Sequence, residues 1–122
     1  MYFYDSYAII EIERGSPNYL PFRRTEGVTS KLNLLEVYYI FLQEGQEPLA
    51  EECFRTQTRN AIDFPGELIP IAARFRLTQL GATRRRFSYT DALGYTYARA
   101  SGFRFLTGAH EFEGFAGVEF VR

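Results

Sequence analysis

Only one cysteine, Cys53, occurs in the 122 residues, so no internal disulfide can form and a reducing compartment, the cytoplasm, is expected. No apolar run approaches the ~20 residues that a membrane-spanning helix requires. The chain opens on strand-like Tyr2-Phe3-Tyr4 without a basic segment leading into an apolar one, so neither export nor membrane insertion is expected. No Gly-Lys pair is present, which removes the phosphate-cradling loop of nucleoside triphosphatases. An excess of one charge is lacking too. The 14 basic residues nearly balance the 15 acidic ones, which excludes a chain-wide basic footprint and makes any nucleic-acid contact local. Lys31 is the only lysine; the other cations are arginines, whose planar fork suits phosphate and carboxylate.

What is there has the make-up of a globule. Hydrophobic residues form 46% of the chain and charged ones 24%, and the length suits one domain, 1–122, with one core. Tyr2 to Tyr4 reads as a strand and Ser6 to Arg14 as a helix stopped by Gly15. Residues 16–27, with two prolines and three charges, read as a loop with one helical turn at most and as the segment most apt to move or meet a partner. Helices are expected over Ser30–Glu44, with Leu32, Leu35, Tyr39 and Ile40 inward, over Glu47–Gln57, over Glu67–Leu80 with Gly81 ending it, and over Ser88–Ala100. Short strands are expected at Asn60–Phe64, Phe103–Thr107 and Val118–Val121. Strands alternating with helices predict an α/β fold, a mostly parallel sheet covered by helices on both faces.

In such sheets ligands collect beyond the carboxyl ends of the strands. Asp5 stands at such a place, although an N-cap role for the next helix explains it equally well. Glu36 interrupts an apolar helix face, where an unpartnered carboxylate is costly. An ion pair with arginine or a hydrogen bond to tyrosine is the plain alternative to a metal-ligand role. Asp91, three residues after Ser88, suits a capping box, yet it shares a face with Gly94, Tyr95 and Ala98 that would let the helix pack closely on the sheet. Three carboxylates at about 5 Å would repel by ~3 kcal/mol per pair at an effective dielectric near 20, so such a pocket needs a cation or a proton. All-oxygen donors suit Mg²⁺ or Mn²⁺.

Four segments carry a resemblance. Tyr4-Asp5-Ser6-Tyr7-Ala8, Leu32-Asn33-Leu34-Leu35-Glu36-Val37-Tyr38, Ser88-Tyr89-Thr90-Asp91-Ala92-Leu93-Gly94, and Phe105-Leu106-Thr107-Gly108 followed by Glu111-Phe112-Glu113-Gly114 resemble the ordered motifs of PIN-domain nucleases, in particular toxins of the VapC type. The resemblance implies a three-layer α/β/α sandwich and Mg²⁺- or Mn²⁺-dependent endoribonuclease chemistry. It further implies an RNA substrate, a homodimer and a cognate antitoxin of a type II toxin–antitoxin pair. Carried over by position, it makes Asp5, Glu36 and Asp91 the catalytic, metal-holding acids and gives Ser6 and Thr107 supporting hydroxyls.

One position departs from the resemblance. Where the family has Thr-Gly-Asp, this chain has Thr107-Gly108-Ala109, so a fourth acidic position is vacant. Glu111 and Glu113 lie two and four residues on. A weakened natural enzyme, a disarming substitution and a catalytically silent RNA- or protein-binding module of the same fold all remain open. A receiver-like phospho-acceptor ranks last, because Lys31 is badly placed for it.

Arg84, Arg85 and Arg86 are candidate RNA contacts and equally a solvated charge cluster. His110 is a candidate base, but a lone turn histidine is far commoner without that role. Cys53 falls on an apolar helix face, where core is the expected fate. Aromatics at 17% exceed what a small core requires, so Tyr19, Tyr38 and Phe41 are candidates for an interface groove as well as for packing.

Overall fold

The structure is a computed structural model and describes residues 1–83 and 86–122. Along these the order is β1 (Tyr2–Tyr4), α1 (Ser6–Glu13), β2 (Gly27–Ser30), α2 (Lys31–Gln43), α3 (Glu47–Gln57), β3 (Ala61–Ile62), α4 (Leu68–Thr83), α5 (Tyr89–Ser101), β4 (Arg104–Thr107) and β5 (Val118–Phe120). Short 3-10 helices lie at Pro17–Phe22, Thr58–Asn60 and His110–Phe112.

The strands form one sheet in the order β3-β2-β1-β4-β5, with every pairing parallel. Parallel strands need crossovers, and the helices supply them. β1 is central: Phe3 lies beside Val28 on one neighbour and Phe105 on the other. Side chains alternate across the sheet. Tyr4 and Leu106 join Ile9, Val37, Phe41, Ala50 and Cys53 under α1, α2 and α3, while Phe3 and Phe105 join Tyr95, Ala98 and Phe112, with Phe75 alongside, under α4 and α5. The result is the expected α/β/α sandwich.

The second of these clusters is almost wholly aromatic. Phe112 sits 4.7 Å from both Phe87 and Phe105, and Phe75 stacks 5.2 Å from Tyr95, which accounts for much of the aromatic surplus as core. Each such ring contributes on the order of 2 kcal/mol by leaving water. α5 can approach these rings because Gly94 has no side chain: a Cβ there would stand 2.9 Å from Phe3 and 3.2 Å from Phe105. The same helix ends on Gly102, whose φ of 73° is the left-handed conformation glycine adopts without strain.

Several sequence expectations are corrected. α2 turns its other face inward: Asn33, Leu34, Val37 and Phe41 are buried, whereas Leu32, Leu35 and Tyr39 are 42%, 67% and 59% exposed. Residues 34–42 are so uniformly apolar that periodicity could not fix the phase; the bonding of Asn33 does. Residues 16–27 are packed, not a loose loop, since Tyr19 is buried at 1% exposure and its hydroxyl donates to the Val121 carbonyl at 2.6 Å. Phe41 is fully buried as well, so of the three candidate groove aromatics only Tyr38 keeps a surface role. Strand β2 was not foreseen, and β3 is confined to Ala61–Ile62. Gly81 does not stop α4, which runs on to Thr83.

Cys53 is core, and burial pushes its thiol up to about 12, far from nucleophilic. Among the described residues no helix is long and apolar enough to cross a membrane.

Candidate functional site

A wholly parallel sheet ends all its strands on one side, and that edge gathers Asp5 after β1, Ser30 at the end of β2 and Thr107 at the end of β4. Asp5 is 3% exposed. It occupies the N-cap position of α1, yet its side chain makes no capping bond. Instead it accepts a hydrogen bond from the Thr107 hydroxyl at 2.6 Å, and the Ala109 N–H donates to that same hydroxyl at 3.0 Å. The capping explanation of Asp5 is thereby set aside.

Glu36 faces the start of α1. The Ser6 hydroxyl donates to it at 2.7 Å, and among the described residues no ion pair includes it. Behind Ser6 runs a buried relay. The Asn33 amide donates to Ser6 Oγ at 2.9 Å, and the Ser30 hydroxyl donates to Asn33 Oδ1 at 2.6 Å while accepting from the Asn33 backbone N–H at 3.1 Å. Sequence reasoning gave Asn33 and Ser30 no role. The one available signal was a polar Asn three residues after a Ser at the start of an otherwise apolar helix.

Asp91 has a structural role already: with Ser88 it forms both bonds of a capping box, each 3.0 Å. It nevertheless belongs electrostatically with the other two acids. Burial, then the charge of Asp91, then that of Glu36 push Asp5 up to about 7, against the bonds from Thr107 and the Ser6 backbone. Burial also raises Glu36, with Asp91 adding to it, and burial raises Asp91, with Glu111 adding to it. The charge of Asp91 is thus felt at both Asp5 and Glu36, that of Glu36 at Asp5, and that of exposed Glu111 at Asp91. Among the described residues no three acidic, histidine or cysteine side chains stand ready as a cage around an ion.

Ala109 precedes the 3-10 helix His110–Phe112, which is pinned by the fully buried Phe112. His110 is exposed, paired at 3.8 Å with Glu113 and placed beside Arg122. Arg86 is exposed just ahead of the Ser88 cap, while Arg84 and Arg85 lie outside the described residues.

No family model and no curated protein matches the sequence. Solved structures do match over nearly the whole chain. One belongs to a toxin–antitoxin complex from Klebsiella pneumoniae, at TM-score 0.72 and 17% identity, covering 98% of this chain and 96% of that one. Another is VapBC2 from Rickettsia felis bound to a DNA fragment from its promoter, at TM-score 0.73 and 14% identity, covering 99% and 98%. A third is the VapC20 toxin of Mycobacterium tuberculosis, described as cleaving the sarcin–ricin loop, at TM-score 0.71 and 17% identity, covering 97% and 98%. The fold is that of the VapC-type PIN domains. At such identities it is the fold that is shared.

Proposed function

We propose that this chain is a metal-dependent endoribonuclease toxin of a type II toxin–antitoxin pair. The observation that carries the reading is Asp5: a buried carboxylate at the end of the central strand, released from helix capping, held by Thr107 and lifted by two neighbouring acids. A buried acid with two like charges near it invites a cation. The donors present are all oxygens, which fits Mg²⁺ or Mn²⁺. The lack of a finished three-sided cage does not exclude these ions, because Mg²⁺ keeps several waters and takes one or two carboxylates.

Asp5, Glu36 and Asp91 would hold the ion, which when bound would polarise a phosphodiester and lower the pKa of water. The rest is done by this chain. Thr107 fixes which Asp5 oxygen stays free, and the Ser6–Asn33–Ser30 relay aims Glu36. The capping box sets the height of Asp91. Arg86, exposed just ahead of the Ser88 cap, would take an RNA phosphate.

A cognate antitoxin fits a groove of about 550 Å³ between α2 and α3, lined by Leu34, Leu35, Tyr38 and Phe54 among others and continued by exposed Leu32, Tyr39 and Leu42. The exposed Ile69, Ile71, Leu77 and Leu80 of α4 suit a second copy in a homodimer. Cytoplasmic action on RNA is the natural setting.

The test is Mn²⁺-dependent cleavage of a structured RNA by the wild type and by Glu36→Ala. Loss of cleavage with unchanged circular dichroism is expected, and undiminished cleavage would overturn the reading. Ala109 favours a second reading, a silent RNA- or protein-binding module, which predicts RNA binding without any metal-dependent cleavage by the wild type.

A further inference from the structure

A cluster of carboxylates repels the phosphodiester it is meant to receive. A ribonuclease built on one needs cations at the rim, placed by the fold and not already neutralised. Four described arginines are otherwise engaged, Arg14 with Glu11 and Glu44, Arg55 with Glu52, Arg104 with Glu119, and Arg76 with the Phe87 carbonyl; what sets Arg122 apart is its place, just past the end of β5 at the edge where Thr107 holds Asp5. Arg122 is in none of the ion pairs found among the described residues.

The backbone around Arg122 is fixed against the site's own scaffold. The Val121 N–H donates to the Thr107 carbonyl at 2.9 Å, Tyr19 Oη donates to the Val121 carbonyl at 2.6 Å, and the Asn18 amide donates to the Arg122 carbonyl at 2.8 Å. Its guanidinium carbon lies 5.8 Å from the centre of the Tyr7 ring. Tyr7 in turn packs so tightly on Gly108 that a Cβ there would collide with the ring and with the Val121 carbonyl. Gly108 follows Thr107, whose hydroxyl holds Asp5. The contacts Arg122, Tyr7, Gly108, Thr107, Asp5 thus run unbroken from cation to central acid. The charges of Asp5 and Arg122 also both reach Tyr19, in opposite senses.

We infer that Arg122 is a substrate-binding residue of the proposed ribonuclease, taking a phosphate of single-stranded RNA beside the carboxylate edge, with Tyr7 as the platform that aims it. The inference rests on the ribonuclease reading. In the free protein the Arg122 guanidinium lies beside the exposed His110 ring, and a charge-assisted bond to an RNA phosphate would be the stronger contact.

The test is the salt dependence of binding. A fluorescent single-stranded oligoribonucleotide is titrated, between ~50 and ~200 mM salt, against the Asp5→Asn chain, which on this reading binds without cutting. Adding Arg122→Gln should reduce the slope of log affinity against log salt by about 0.7, the share of one phosphate contact on a single strand. Arg122→Lys, which keeps the charge, should retain the slope. Arg104→Gln, at the opposite end of β4, should leave it unchanged. An Arg122→Gln slope equal to that of its parent overturns the role of Arg122 alone, whereas a parent that does not bind RNA overturns the ribonuclease reading and this inference with it.

Discussion

Thr107 and Asp5 lie 102 positions apart in sequence, and the hydroxyl of one donates to the carboxylate of the other at 2.6 Å inside the protein. That bond favours the charged form of Asp5 against burial and two neighbouring acids.

Replacing Thr107 by the isosteric Val removes the bond and leaves the Ala109 N–H without its acceptor. Asp5 should then titrate above its present value of about 7. The rising limb of the cleavage-rate profile against pH should shift to higher pH, and stability should fall by about 1 kcal/mol. A profile that stays in place would show that Asp5 does not govern the reaction.

Asp5 should also shape stability. Its carboxyl titrates near 3.8 unfolded and about 7 folded, so the folded chain holds the proton more tightly. The associated stability is complete below about pH 4 and is lost as the pH rises towards 7. Asp5→Asn cannot ionise, so it should be more stable than wild type at pH 8, on the order of 2 kcal/mol, with little difference at pH 4. Mn²⁺ should raise the wild-type melting temperature at pH 8 and leave Asp5→Asn unmoved. Calorimetry with and without the ion reads both effects; equal responses to Mn²⁺ would remove Asp5 from the metal site.

Much of this arrangement was legible beforehand, for identifiable reasons. Gly15, Gly45 and Gly102 mark helix ends clearly, and the alternation of short apolar runs with helices dictates a parallel sheet. Asp5 and Asp91 declared themselves by standing at a strand end and a helix start. β2 did not, because Gly27-Val28-Thr29-Ser30 has a turn-like composition; Thr29 and Ser30 are buried only because each hydroxyl finds a partner, Tyr4 O and Asn33. The phase of α2 was misjudged for a related reason. Its inward face is chosen by Asn33 reaching Ser6, a contact no local pattern encodes.

Gly94 offers a check on the packing. Alanine would add helix propensity worth about 1 kcal/mol. Its Cβ, however, would meet Phe3 and Phe105, which are fully buried and stacked 5.7 Å apart with no room to retreat. Crowding should win, and Gly94→Ala should lower stability by roughly 1–3 kcal/mol in urea titration. A stabilised variant would mean that α5 rides higher over the sheet than described.

Ala109 is a vacancy that can be filled. Its N–H faces the Thr107 hydroxyl, and the 3-10 helix after it is anchored by Phe112. Ala109→Asp should add an oxygen donor beside Asp5 and raise Mn²⁺ affinity roughly tenfold, with faster RNA cleavage. Titration calorimetry and a cleavage time course measure the two effects. No gain in either would argue that position 109 does not face the ion.

The placement of β1 between β2 and β4 has a consequence during synthesis. During synthesis β1 must wait for its second neighbour until residues 104–107 emerge, and only then can Thr107 reach Asp5. A polypeptide interrupted before that point carries Asp5, Glu36 and Asp91 but has no closed edge on which to seat them.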